Sequence, residues 1–334
     1  MDDKTNIPLT AAEMSGLWTQ YMGDTIVVCM NSYFLEKVED EEIRPIIEWT
    51  LDTAKENVSI MQELFQKENF PIPIGFTEQD VNTKAPRLFT DTFFLKHLSQ
   101  LAVFAMTASC AALTVATRPD VISFHKRILN KGVELQDRTR DLMLKQGIYI
   151  KPPSIPIPKK IDFIEKQNYL TGFFGKKRSI NSQEITHLYL NTLINVIGKE
   201  LVTGFAQTAH NEEVKQYFLR GKELAQKYID TFSNFLTKED LPAPISSGSA
   251  VLNTTASVFS DKLMMFHVTA MVAAGIGYYG TALAASPRRD LGLKYISLIP
   301  EVALYVEDGA NIMIKQGWME EPPQAVDRDK LIQQ

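Results

Sequence analysis

Residues 9–82 of the chain align almost without gaps on residues 180–253. Glu13 falls on Glu184 at an offset of 171, and Phe70-Pro71-Ile72-Pro73 falls on Leu241-Pro242-Ala243-Pro244 at the same offset. After one deletion the offset becomes 170. It then carries Asp91 onto Asp261, His97 onto His267 and Lys145-Gln146-Gly147 onto Lys315-Gln316-Gly317. One unit has been built twice. The period is too long for a short-repeat solenoid and suits two copies of a whole domain. The expected boundaries are 1–155 and 156–334. Each half can bury its own core.

The net charge is −5, and no Lys/Arg-rich run is interleaved with aromatics. A nucleic-acid partner is therefore not expected. Cys29 and Cys110 both sit in apolar helical stretches of the first half, with no cysteine at the equivalent places in the second. They read as buried free thiols of a reducing compartment. The opening MDDKTNIPLT has acidic residues and no apolar stretch, which predicts no secretory signal.

Four long helical patterns occupy each half, and no alternating Val/Thr-rich run suggests a strand. The patterns run at roughly 10–38, 41–69, 90–117 and 119–146, and again at 182–210, 212–238, 260–286 and 288–316. Thr10 with Glu13 fits a capping box. Ser182 with Glu184 is off by one. Pro119 suits a first turn, and Gly147 and Gly317 suit helix C-caps, with Pro152-Pro153 and Pro322-Pro323 following. Apolar residues recur at helical spacing in the second helix of each half, as with Ile43, Ile47, Ala54, Val58, Met61 and Phe65.

Connection lengths set the topology. The first two and the last two helices of each half are joined by a few residues, so each pair is antiparallel. The second and third are joined by about twenty Pro-containing residues, 70–89 and 241–259. A loop that long is unusual unless the chain must return along a bundle. The expected fold is all-α: two tandem ferritin-like four-helix bundles, each with a long crossover between helices two and three.

The third helix has no charge from Leu98 to Thr117, nor from Leu263 to Pro287, where His267 is the one ionisable side chain. Both runs approach membrane-spanning length. Gln100, His267, the Ser and Thr residues, and the lack of flanking basic clusters argue against a span. The expectation is a helix covered on all sides, with the two bundles pairing within the chain through their third helices.

A ferritin-like bundle raises the question of a di-metal site, which takes inward Glu residues and Glu-x-x-His pairs. Counting 100° per residue, Asp52, Glu223, Glu134, Asp137, Asp141 and Glu307 point away from the apolar faces, and Asp24 falls on a flank. The inward polar groups are Thr25, Thr50, Asn57 and Thr139. No cofactor is expected on this count, with iron or manganese as the alternative. Glu184-Ile-Thr-His187 matches Glu-x-x-His, but Glu13-Met-Ser-Gly16 stands there in the first half, so a chance match beside a capping carboxylate is the reading.

His97 and His267 occupy equivalent places in the charge-poor helix. They read as hydrogen-bonded buried imidazoles, or else as ligand or metal candidates, which Glu200 could join because it maps onto Cys29 on an inward flank. His125 maps onto Tyr295 and reads as a buried aromatic hydrogen bond. Walker A, dinucleotide-glycine, CxxC and HExxH motifs are absent. No catalytic residue is identified.

The duplicated unit, the FPIP/LPAP element, Asn82 and Asn253 in the crossovers, the Asp…His pair opening helix three and the KQG-then-PP ending resemble a domain-of-unknown-function family of spore-forming Gram-positive bacteria. Its members carry two tandem ferritin-like bundles. The resemblance implies that fold and a cytoplasmic or spore-associated setting, and it implies no activity. By analogy with spore-coat relatives, it points to a structural role with spore or structural protein partners. Three functions stay open: a non-catalytic structural or stress/sporulation-associated protein, a metal-binding protein or oxidase using an unusual His-containing site, and a module for a small apolar molecule lined by Tyr278, Tyr279 and the Ala/Gly surface of helix three.

Overall fold

The computed structural model describes residues 7–172, 177–244 and 250–332. Among them, eight long helices carry the fold: α1 (Ala11–Lys37), α2 (Arg44–Lys67), α3 (Asp91–Val115), α4 (Pro119–Lys145), α5 (Ser182–Thr208), α6 (Glu212–Thr237), α7 (Asp261–Ala284) and α8 (Arg289–Lys315). A short α9 (Arg328–Ile332) follows. The expected helices thus form within a few residues of their expected ends. The described residues hold no strand beyond one isolated antiparallel bridge, Phe89 with Val251.

By compactness the chain divides into two units. One holds residues 1–83, 98–142 and 319–334, and the other holds 84–97 and 143–318. In the first, the core draws on all four helices: Leu17 and Tyr21 of α1, Met61 and Phe65 of α2, Ala105 of α3, and Val121, Phe124 and Ile128 of α4. In the second, Ile185 and Leu188 of α5, Tyr228 and Phe232 of α6, Tyr279 and Ala282 of α7, and Leu291, Tyr295 and Leu298 of α8 do the same.

The helix ends show why the sequence stops where it does. Thr10 and Glu13 form the expected capping box on α1. On α5 the cap is Asn181 rather than Ser182, so the spacing to Glu184 is the regular one after all. Gly147 (φ 71°) and Gly317 (φ 68°) end α4 and α8 in the left-handed region that glycine enters freely. Beyond them the N–H groups of Ile148 and Trp318 reach back to Met143 and Met313.

Each cap carboxylate does more than cap. Glu13 is 2% exposed, and its Oε1 accepts the N–H groups of Thr117 and Arg118, both at 2.8 Å, at the start of α4. Burial opposes ionisation, but the Thr10, Arg118 and Thr117 N–H donors outweigh it and hold the carboxyl down at about 2. Glu184 repeats the arrangement. It accepts from Asn181 N–H, from Arg288 N–H at the start of α8, and from the Arg178 guanidinium at 2.7 and 2.8 Å. Arg118 and Arg288 each chelate the Asp two residues on, Asp120 and Asp290.

Two expectations about the first half's cysteines and the third helices need correction. Cys29 is buried, with its thiol on the Thr77 carbonyl, but Cys110 is exposed. The third helices are not covered all round. Only 22% of the apolar window of α3 and 33% of that of α7 is buried, although both are long and apolar enough by length and composition to cross a membrane. Thr107, Ala108 and Ala111 on α3, and Ala270, Ala273 and Gly277 on α7, are exposed. Such side chains present little apolar area each, so leaving them uncovered costs little.

Replacing Glu184 by Ala takes the carboxylate from Arg178 and leaves the N–H groups of Asn181 and Arg288 without their acceptor, so it should destabilise the protein by about 3 kcal/mol. The urea midpoint would register this, and a loss below about 1 kcal/mol would remove the carboxylate from its structural role.

Candidate functional site

The crossover before α3 and the crossover before α7 meet in the second unit. Thr90 N–H donates to Ala250, and Leu252 N–H donates to Leu88. This brings the first turns of the two charge-poor helices together. His97 and His267 lie with ring centroids 5.4 Å apart and planes 33° from each other. An aromatic row continues on both sides: Phe89 stacks on Phe93 and Phe93 on His97, while Phe205 meets His267 edge-on. Gly204 makes the room, since a Cβ there would press into the Phe89 ring.

These surroundings keep both imidazoles neutral. Burial lowers His97 to about 4, and burial together with the neighbouring His97 lowers His267 to about 3. His267 Nδ1 is enclosed and has no hydrogen-bond partner, so the expected carbonyl or Tyr partner does not form at that nitrogen. Glu200 is 3% exposed on α5. Among the described residues, no group of three or more His, Cys, Asp or Glu side chains is placed to hold a metal ion. The residues therefore do not fit an iron or manganese pair, which needs several inward carboxylates.

The middle of the first unit differs from expectation. Asp24 does not sit on a flank; it is 6% exposed. Its carboxylate accepts Gln20 Nε2 at 2.9 Å and Asn57 Nδ2 at 3.4 Å, and Arg127 Nε donates to Asn57 Oδ1 at 3.4 Å. Burial pushes the carboxyl up to about 7, against the lowering effect of Gln20, Asn57 and the Arg127 charge. A helix whose polar residues reach across a neighbour's flank defeats a count of angles. The other inward groups were read correctly: Thr50 and Thr139 are buried and return their hydroxyls to Ile46 and Leu135.

His125 is 2% exposed, but neither ring nitrogen has a protein partner, so the hydrogen bond expected there is not made. Its ring lies 3.3 Å from where a Gly16 Cβ would stand. Glycine at 16 thus leaves space for the imidazole; the second repeat has His187 and Tyr295 at the equivalent places. His187 of Glu-x-x-His belongs to no group placed to hold a metal ion among the described residues. Asp261, in the first turn of α7, takes the N–H groups of His210 and Asn211 between α5 and α6 on its carboxylate.

The middle of the second unit is a cleft of about 80 Å³ between α5, α6, α7 and α8. Tyr278, Tyr279 and Gly275 of α7 line it, as the third sequence reading required. Sequence reasoning missed the opposite walls: Asn191, Asn195 and Gly198 on α5, Gly221 and Tyr228 on α6, Val302 and Tyr305 on α8. No lining residue is charged. The polar groups are largely tied down. Asn195 Nδ2 donates to Tyr279 Oη at 2.9 Å, Tyr228 Oη donates to Glu301 at 3.0 Å, and Tyr305 Oη donates to the Tyr217 carbonyl at 3.0 Å. Tyr217 returns its own hydroxyl to the Tyr305 carbonyl, and the two rings stack at 4.2 Å. Gly221 and Gly309 accommodate those two hydroxyls. Asn191 is not tied down in this way. It is 2% exposed and its Nδ2 has no protein partner. The Asn191 amide partly offsets the burial that raises the Tyr295 hydroxyl to about 12, but neither atom finds a hydrogen bond of proper geometry.

Fold and site together define an all-α protein of two tandem helical repeats with different centres. The chain matches the family described as "Protein of unknown function (DUF3231)" over residues 2–161 and again over 168–331. It belongs to that family, which it contains twice. Comparison with curated proteins finds no match. Among solved structures it is similar to a Bacillus halodurans protein described as a candidate spore coat protein, at 16% identity and a TM-score of 0.42, over 46% of this chain and 100% of that one.

Stability should respond to acid through the histidine pair. Both rings hold a proton less readily folded than unfolded, where the value is 6.5. Their contribution is complete above about pH 6.5 and is lost as pH falls toward 4, by up to about 1.4 kcal/mol per pH unit per ring. Urea midpoints of the wild type should fall over that window, and those of the His97→Gln, His267→Gln double variant should fall less; equal slopes would contradict the assignment.

Asp24 works in the other direction. Its carboxyl is raised from 3.8 to about 7, so its contribution is present below 3.8 and is lost as pH rises through about 7. Asp24→Asn, which installs the residue that the second repeat has at position 195, should raise the melting temperature at pH 8 relative to the wild type by more than at pH 5. The reverse ordering would show Asp24 to be ionised at no cost.

Proposed function

We propose that this chain is a non-catalytic protein of ferritin-like build whose second repeat binds a small, mainly apolar molecule between α5, α6, α7 and α8. The observation that carries the reading is the uncharged cleft itself. A close-packed bundle fills its centre with side chains, and here glycines stand where larger residues would close it. An added Cβ would meet nothing within 4 Å at Gly198 or at Gly275. Apolar clefts with a few placed polar groups are the usual form of a small-molecule site. Among the described residues no group of three or more His, Cys, Asp or Glu side chains gathers to hold a metal, which favours an organic occupant over iron or manganese.

The setting we infer is cytoplasmic or spore-associated, with structural proteins as partners. It rests on the family resemblance and is a proposal about where the ligand-binding repeat works.

The test is thermal unfolding with toluene, indole and short-chain lipids. A molecule present at about a hundred times its dissociation constant stabilises by about 2.7 kcal/mol, so the midpoint should rise by several degrees. Gly275→Leu should abolish the shift while leaving the unliganded midpoint close to that of the wild type. No shift with any probe would overturn the binding reading.

A further inference from the structure

Two buried donors in the cleft have hydrogens left over. Asn191 Nδ2 has no protein partner although the residue is 2% exposed. Tyr279 Oη accepts from Asn195, so that bond leaves the phenolic hydrogen unused. A buried donor without an acceptor costs about 1–3 kcal/mol. Here the two belong to facing helices, α5 and α7, and both line the same cleft.

The charge of the walls narrows what could satisfy them. None of the lining residues carries a formal charge. An anion would accept from both donors, but it would lose its hydration with no cation to replace it, at high cost. A cation would meet donors where it needs acceptors. A pure hydrocarbon would fill the space and leave both donors orphaned. Volume adds a limit. An apolar cavity of about 150 Å³ holds benzene, so the cleft of about 80 Å³ takes nothing larger than one small ring, and that ring must extend through the open side.

We infer that the molecule held by the second repeat is a small neutral ring compound bearing one hydrogen-bond acceptor, a ketone or quinone-type oxygen, seated between Asn191 and Tyr279. This rests on the binding reading above and adds the acceptor to it. The oxygen takes the Asn191 amide hydrogen and the Tyr279 hydroxyl hydrogen, while the ring lies against the Gly275 side of the cleft. The first repeat offers no equivalent, because Gln20 and Ser109 stand where Asn191 and Tyr279 stand, and Gln20 is engaged with Asp24.

The experiment compares two probes of one shape, cyclohexanone and methylenecyclohexane, by NMR titration of the full chain. Cyclohexanone should bind about fivefold tighter, the worth of a net hydrogen bond. Asn191→Leu and Tyr279→Phe should each shrink that preference toward unity while the hydrocarbon's affinity stays within about twofold. Melting curves show that each variant is folded, and either variant suffices if the other is not. Equal binding of the two probes to the wild type would overturn the acceptor and leave the cleft reading standing. A ketone preference that survives in the folded variants would overturn the assignment to these residues. Binding of neither probe would overturn the cleft reading and this inference with it.

Discussion

In each repeat one buried carboxylate joins the first turn of the first helix to the first turn of the fourth. Glu13 gathers Thr10, Thr117 and Arg118; Glu184 gathers Asn181, Arg178 and Arg288. A carboxylate out of water is costly unless several donors replace the lost hydration. The backbone N–H groups at two helix starts do so, and both helix dipoles favour the negative charge. The consequence reaches beyond the helix ends. With the first and fourth helices fixed at one end, the middle of the bundle can be lined by polar or small residues without losing register.

The two repeats use that freedom differently. Where the first has Thr50 facing Leu135, the second has Gly221 facing Tyr305; where the first has Ile46 and Thr139, the second has Tyr217 and Gly309. Each exchange moves bulk from one helix to the other and keeps the total roughly constant, which is the kind of change a core tolerates. Gly16 with His125 against His187 with Tyr295 does not follow this pattern, since both positions are larger in the second repeat. Around Asp24 the exchange is chemical rather than steric. A carboxylate held by two amides becomes Asn195 bonded to Tyr279.

The architecture was legible in the sequence because duplication supplies every boundary twice. Capping pairs, Pro119, Gly147 and Gly317 all fall where local chemistry demands, and the long crossovers follow from helix lengths. The site was legible only in part. Tyr278, Tyr279 and the glycines of α7 stood out in a charge-free run. The α5 wall did not, because Leu190, Ile194, Ile197, Leu201 and Phe205 form an apolar stripe of their own on that helix, which leaves its inward face ambiguous. Asp24 was misplaced because Gln20 and Asn57 meet it from its own helix and from α2, a convergence that no single helical wheel contains. The exposure of α3 and α7 was hidden for another reason. Absence of charge does not by itself demand burial, because Ala, Gly, Ser and Thr side chains make that demand weakly.

The contrast between the two centres bears on what a cleft in one repeat can mean. If the glycines at 198 and 275 were tolerated only as slack, a packed core would close over them, since unfilled space of this kind forfeits dispersion contacts on every wall. The tyrosines could do the closing. Instead, Tyr305 is drawn toward Tyr217 by reciprocal hydrogen bonds, Tyr228 is held by Glu301 and Tyr279 by Asn195. Tyr305 and Tyr228 are fixed at their polar tips on partners outside the lining, and Tyr279 on Asn195 within it. Side chains restrained in this way cannot relax inward without breaking a buried bond, so the opening is an outcome of the hydrogen-bond pattern rather than a packing fault. Asn191 is the one wall residue whose amide hydrogens are left without such a partner. The argument for an acceptor-bearing occupant rests on that difference between Asn191 and its neighbours.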